Sequence, residues 1–330
     1  MCGNLHENLC ERESIWKFLW EKDMNQHKKT SSNQKYKGFL LVMMGASLWG
    51  TLPIFSNFSY QLGSDAMTSA AMRCYLAAAV FFVWMLANGS LKTLKARELP
   101  FYLMYGIVSG GGTFIFYMMA IEQLSTAMAA ILLYTGPAFV IIFSRILYKE
   151  PITKAKFVAL CCTFLGSLLV VRGYDLASVS ANGKGICFGI LSGISYSMTT
   201  VMGRKANQLH DGQMNAGLMT IFVIPLFLIL KPVWSIQVPV SGLWPLYLAL
   251  ALLGTVLPYT FYLKGLNMGI DGGMASITAT LEPVVGTVLS VLILHDTLKW
   301  PQILGILIVI AGVSIPVLSS RKTKKEDTAV

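Results

Sequence analysis

Residues 278–299 read TATLEPVVGTVLSVLILHDTLK, and residues 132–153 read LLYTGPAFVIIFSRILYKEPIT. Laid one on the other, they put Pro137 on Pro283 and Glu150 on Asp296. The likeness continues outward. FIFYMMAIEQLSTAMAAI (114–131) aligns with YTFYLKGLNMGIDGGMASI (259–277) with one insertion, and GASLWG (45–50) falls on SGISYS (192–197), setting Trp49 on Tyr196. Lys37-Gly38 opens one unit and Lys184-Gly185 opens the other. Self-similarity over this length means two like units in one chain.

Composition says which solvent those units meet. Hydrophobic residues make up 55% of the 330 and charged residues only 13%, where a soluble domain carries about 25%. Mean hydropathy is +0.61. Apolar runs of about 20 residues, each able to cross a ~30 Å hydrocarbon layer as a helix, recur from Gly38 to Leu318. The pattern predicts an all-α membrane protein with ten transmembrane helices, near 38–58, 67–87, 100–121, 125–147, 155–172, 184–203, 215–231, 243–264, 272–294 and 300–319. The links are short and hold breakers or charges, with no room for a soluble domain. The expected division is an N-terminal tail (1–36), a first five-helix repeat (37–173), a second (184–320) and a basic tail (321–330).

Five is odd, so the two halves must insert in opposite directions. Charge supports this. With the N-terminus inside, 21 of the 26 Lys and Arg fall at inner ends, four at outer ends (Arg172, Lys184, Lys231, Lys299), and Arg73 lies within a span. Positive loops stay cytoplasmic, so both termini are expected there. An inverted repeat of this kind is a hallmark of secondary transporters. The net charge of +10 is thus an orientation signal rather than a nucleic-acid footprint. Residues 15–20, rich in Trp, Phe and Leu, read as either a short interfacial helix or a disordered tail, and Met24 is an alternative start. The six cysteines form no CxxC pair and read as small hydrophobes, so neither a disulfide framework nor a metal site is expected.

Glu282 is the sharpest local feature. It lies about ten residues, or ~15 Å, from the inner end of its span, near the bilayer midplane. An ionisable group there costs a few kcal/mol and does not face lipid. Ala275, Thr278, Ala279, Glu282 and Gly286 would share one small or polar helix face, and Pro283 would free a backbone carbonyl. Glu282 reads as a substrate or proton site; the alternatives are a structural carboxyl bonded to a neighbouring helix, or a partner for Arg73. Arg73 reads as a snorkelling cation, a clamp on a carboxylate or that partner. The first half has Gly136 where the second has Glu282, with Tyr134 and Thr135 offering hydroxyls at similar depth. Trp49, Tyr75, Tyr117, Tyr196, Tyr259 and Tyr262 line a cavity or simply pack. Pro137 and Pro283 are candidate helix breaks. The glycines at 106, 110–112, 185, 189 and 193 read as close helix contacts, with a hinge as the alternative at 110–112. Glu150 and Asp296 read as helix-capping acids. No P-loop, HExxH or Ser–His pairing is present and all four histidines (His6, His27, His210, His295) lie away from span centres, which argues against an enzyme, an ATP-driven pump or any bound cofactor.

Several of these residues together resemble a known family. They are Trp49, Arg73 with Ala77-Ala78, then Ala129-Ala130, Pro137, Leu147–Glu150 and Leu165-Gly166 in one half. In the other they are Ala275, Leu281–Pro283, Leu294–Asp296 and Ala311-Gly312. In order and repetition the chain resembles the drug/metabolite transporter superfamily, in particular its EamA-type permeases, over about 37–320. One departure is His295, where such proteins often have Gly. The resemblance implies a basket-shaped bundle with a central cavity, a small-molecule solute such as an amino acid, movement across the cytoplasmic membrane, efflux more often than uptake, and no cofactor. Uptake or facilitated passage of a carboxylate metabolite is the alternative within transport; a non-transporting membrane sensor or partner protein is the alternative outside it. A homodimer is compatible with either.

Overall fold

Prolines and glycines decide where the helices break. The computed structural model describes residues 32–173, 182–238 and 241–327, and among these the chain is helical with no strand. The N-terminal segment holding residues 15–20 and Met24 lies outside the described residues. Among the described residues nine helical stretches are long and apolar enough to cross a membrane: Asn33–Gln61, Ala66–Ala87, Ala96–Gln123, Thr126–Tyr148, Gly183–Ala206, Gly212–Leu230, Leu243–Asn267, Gly272–Leu294 and Trp300–Ser319. The span expected at 155–172 is a shorter helix, Lys154–Val170, of 17 residues.

The likeness of the two halves survives in detail. Thr126–Leu133 stops, the chain turns through Tyr134 and Thr135, and Gly136–Tyr148 begins with Pro137 in its first turn. Gly272–Ala279 stops, the chain turns through Thr280 and Leu281, and Glu282–Leu294 begins with Pro283 in its first turn. Proline fits there because the first turn has no partner for its missing N–H. Both second helices end on a non-glycine residue in the left-handed region, Lys149 at φ 54° and His295 at φ 58°. The next amide donates to a serine carbonyl six residues back, Glu150 N–H to Ser144 O and Asp296 N–H to Ser290 O. Each half also has a π-helical turn inside its third long helix, at Gly106–Gly111 and Leu252–Val256.

Packing crosses between the halves. Ser32–Trp49 lies along Leu257–Asn267, and Gly183–Ala206 along Gly112–Gln123. Glycines set the closest approaches. A Cβ at Gly38 would stand 2.8 Å from the Gly265 carbonyl oxygen, and one at Gly265 would stand 2.7 Å from that of Gly38. Gly166 and Gly305 repeat this between Lys154–Val170 and the final helix, at 2.8 and 2.7 Å. The 185–189–193 glycines face Leu124 to Thr135, the packing role expected of them.

Candidate functional site

The inner walls of these helices leave a cavity of about 630 Å³. A recess of about 200 Å³ adjoins it and shares Arg73 and Tyr117 with it. The mouth is made by helix ends, Asn57 and Tyr60 on the first span, Ala66 on the second and Thr126 on the fourth. Its far end lies at mid-span, where Trp49, Tyr134, Tyr196, Tyr259 and Glu282 meet. The lining residues nearest a helix terminus, Tyr60, Ala66 and Thr126, all belong to one end of the bundle.

Two opposite charges share this space. Glu282 is the first residue of its helix, so the unpaired amides and positive pole of that helix lie beside its carboxylate. This corrects the sequence expectation. Glu282 is not in the interior of one long kinked helix, and no single polar face runs from Ala275 to Gly286, because the turn at Thr280–Leu281 re-aims everything after it. Arg73 enters from the Ala66–Ala87 helix. Its Nε is buried without a hydrogen-bond partner. Among the described residues neither Arg73 nor Glu282 makes an ion pair within 4 Å, so the direct pairing considered from sequence is not formed. Each has unfilled bonding capacity toward the cavity.

The other candidates divide. Trp49 packs edge-on to Tyr259 with ring centroids 5.1 Å apart, and against Tyr262 at 5.5 Å, forming the floor. Tyr262 is buried beneath that floor with its hydroxyl 2.5 Å from Thr200 Oγ1. Tyr134 and Tyr196 line the wall. Thr135 does not line it; its hydroxyl bonds the Leu132 carbonyl at 2.5 Å. Thr278 is fully buried and donates to Met274 O at 2.8 Å. Both threonines satisfy themselves within their own helix, as hydroxyls in apolar surroundings commonly do. Tyr75 points away and donates to the Lys231 carbonyl at 2.9 Å. Asn57, Thr113 and Phe114 line the cavity and had no sequence signal, because single small polar or apolar residues in a span look alike whichever way they face.

Beyond the floor the bundle is sealed by polar bonds. Tyr105 donates to Thr199 O at 2.9 Å, and Ser109 Oγ lies 2.6 Å from Thr199 Oγ1. At the far end Glu150 pairs with Arg204 and, at 3.7 Å, with Lys156. Lys156 also reaches Asp271 at 2.5 Å. Glu150 is therefore not simply a cap on its own helix. It accepts the Gly272 amide at 3.2 Å, at the start of another one.

A family comparison places this architecture. The profile of the EamA-like transporter family matches residues 36–172 and again 183–318. The chain belongs to the EamA-like transporter family. It is a multi-pass membrane transporter, not an enzyme. Relatives span nearly its whole length. An uncharacterized transporter of Archaeoglobus fulgidus is 25% identical over 84% of this chain and 95% of its own. The uncharacterized transporter YyaM of Bacillus subtilis is 25% identical over 84% and 93%. The threonine/homoserine exporter RhtA of Escherichia coli K12 is 28% identical over 87% and 92%. One crystal structure shares the fold with a TM-score of 0.73 and 18% identity, covering 87% of this chain and 98% of that one.

Proposed function

We propose that this protein is a secondary transporter that exports small zwitterionic metabolites of the amino-acid class by alternating access between two inverted five-helix halves. The observation that carries the reading is the pair Arg73 and Glu282, opposite in charge, facing one cavity and not bonded to each other. A zwitterion supplies both missing partners, its carboxylate to the Arg73 guanidinium and its ammonium to Glu282. The largely apolar wall then receives the side chain. The matched profile in each half supports the repeat, and the 21 to 4 distribution of Lys and Arg supports cytoplasmic termini. Export rests on the likeness to RhtA. Glu282 is also the group that would exchange a proton if the flux is proton-coupled.

The test is counterflow in proteoliposomes with a panel of labelled amino acids. Saturable exchange is expected for the native protein. Glu282→Gln and Arg73→Lys should each lower it by about tenfold or more, since a charge-assisted bond is worth about 1.5–3 kcal/mol and lysine cannot reproduce a planar fork. Absence of saturable flux for every zwitterion would overturn the reading. The unfilled Arg73 Nε also favours a second one, a simple carboxylate solute. In that case Arg73→Lys abolishes flux and Glu282→Gln leaves it intact.

A further inference from the structure

Four ionisable side chains lie together outside the cavity. Glu150, Lys156 and Arg204 are 8%, 3% and 7% exposed, and Asp271 joins them through Lys156. Lys156 also donates to the Pro151 carbonyl at 2.7 Å, and the Arg204 guanidinium lies 4.5 Å over the Tyr148 ring. From sequence, Lys156 and Arg204 were ordinary loop-end cations. Burial of several ions costs desolvation that their pairing must offset, so their retention calls for a role.

Their placement supplies one. Tyr134, Tyr196 and Glu282 line the cavity, and each belongs to a span whose far end is held by this network. Glu150 lies two residues past Thr126–Tyr148, Arg204 lies in the last turn of Gly183–Ala206, and Asp271 directly precedes Gly272–Leu294. A solute can leave toward that end only if these three spans part there. Parting would hydrate the ions, so the network is stable dry and paired, and tolerable wet and separated. That is the behaviour a two-position gate requires.

The internal repeat shows what faces the network at the cavity mouth. Glu150 corresponds to Asp296, Lys156 to Gln302, Arg204 to Asn57, and Asp271 to Ser125. The equivalence is structural as well, since Asp271 caps Met274 N–H and Ser125 caps Met128 N–H, both at an N-cap. At the mouth, three of the four ionic positions are therefore neutral. Asn57 accepts from Gln61 at 2.8 Å, Gln302 accepts from Arg172 at 3.1 Å, and Asp296 accepts from Ser290.

We infer that Glu150, Lys156, Arg204 and Asp271 form a one-sided ionic gate, and that the missing charges at the mouth bias the empty transporter toward the state open there. The inference rests on the transporter reading, but its test does not need flux. In a background with the native cysteines replaced by alanine, single reporters Thr126→Cys (mouth) and Thr200→Cys (sealed layer) are labelled with a membrane-impermeant maleimide in vesicles of both orientations. Thr126→Cys should react fast and Thr200→Cys slowly. Neutralising the pair with Glu150→Gln and Arg204→Gln should speed Thr200→Cys and slow Thr126→Cys, each by about tenfold for a modest population shift. Asn57→Arg, which disturbs no buried ion, should slow Thr126→Cys by a similar factor by supplying a cation for Asp296. It carries the test by itself if the double variant does not fold. Unchanged labelling in folded Asn57→Arg overturns the asymmetry, and unchanged Thr200→Cys in the folded double variant overturns the gate. If instead the labelling shifts as expected while no solute is transported, the gate stands and the substrate reading fails.

Discussion

Residue by residue, the asymmetry of the two halves has a steric cause. Glu282 has Gly136 as its counterpart, and a Cβ at Gly136 would stand 2.8 Å from Tyr196 Cδ1 and 3.3 Å from the Gly193 carbonyl oxygen. No side chain fits there without moving the Tyr196 ring, which lines the cavity. Gly136→Ala is therefore expected to push that ring inward. In transport assays KM for solutes with large side chains should rise by about tenfold, the size of a methylene-scale misfit, while small ones change little. A second residue answers to pH. Asp65 caps the Ala66–Ala87 helix at the mouth, taking the Thr68 amide at 2.8 Å and its hydroxyl at 2.6 Å. Partial burial pushes its carboxyl up, but those bonds and nearby Lys231 outweigh it and hold the group below the usual value. A depressed carboxylate stabilises the fold above its unfolded pKa and loses that contribution as pH falls through the folded one. Asp65→Ala should cost about 1 kcal/mol at neutral pH, and the difference from the native protein in thermal unfolding should vanish in strong acid. At this scale the two ions within spans were legible in the sequence, whereas the burial of Glu150, Lys156 and Arg204 and the placement of hydroxyls were not. Glu282 and Arg73 stood out because ions in a span must find a use; Thr135 and Thr278 were site candidates too, but neither lines the cavity, because each satisfies its hydroxyl on its own helix.

Between residue and bundle, the decisive finding is that Pro137 and Pro283 start helices rather than bend them. Pro in a helix interior costs about 3 kcal/mol, so replacing an interior one with alanine would stabilise strongly. Here the first-turn position predicts a different result. Pro283→Ala should change unfolding stability by less than about 1 kcal/mol, through the unfolded chain alone, as read by thermal denaturation in detergent. The glycine crossings predict the reverse. Gly305→Ala would place a Cβ 2.7 Å from the Gly166 carbonyl oxygen, and overpacking of that kind costs about 1–3 kcal/mol. Nine of the ten expected spans were legible to within a few residues, since twenty apolar residues leave little choice. The turns at Thr280–Leu281 and Tyr134–Thr135 and the two π-helical turns were not, because they lie within apolar runs and change only the hydrogen-bond register.

Taken whole, the molecule turns on whether Lys154–Val170 crosses the membrane. At 17 residues it is about 25 Å long, a little short of the ~30 Å hydrocarbon layer. Its neighbours define its depth. At one end Lys156 bonds Asp271, which immediately precedes the Gly272–Leu294 span. At the other, Arg172 donates to the Thr297 carbonyl at 3.0 Å and to Gln302 at 3.1 Å, residues that follow that same span. The short helix therefore runs the full depth of a neighbour long enough to cross, and the modest mismatch is of a size that local thinning accommodates. Counted as a crossing, it makes ten, and an even number returns the C-terminus to the side of the N-terminus. The prediction is that tags at the two ends are cleaved together by protease added to inside-out vesicles and are protected together in right-side-out ones. Cleavage of only one tag in either preparation would mean an odd number of crossings. The two halves would then run parallel rather than inverted, and the pairing of Glu150 with Asp296 as opposite ends of one transport path would fail with it.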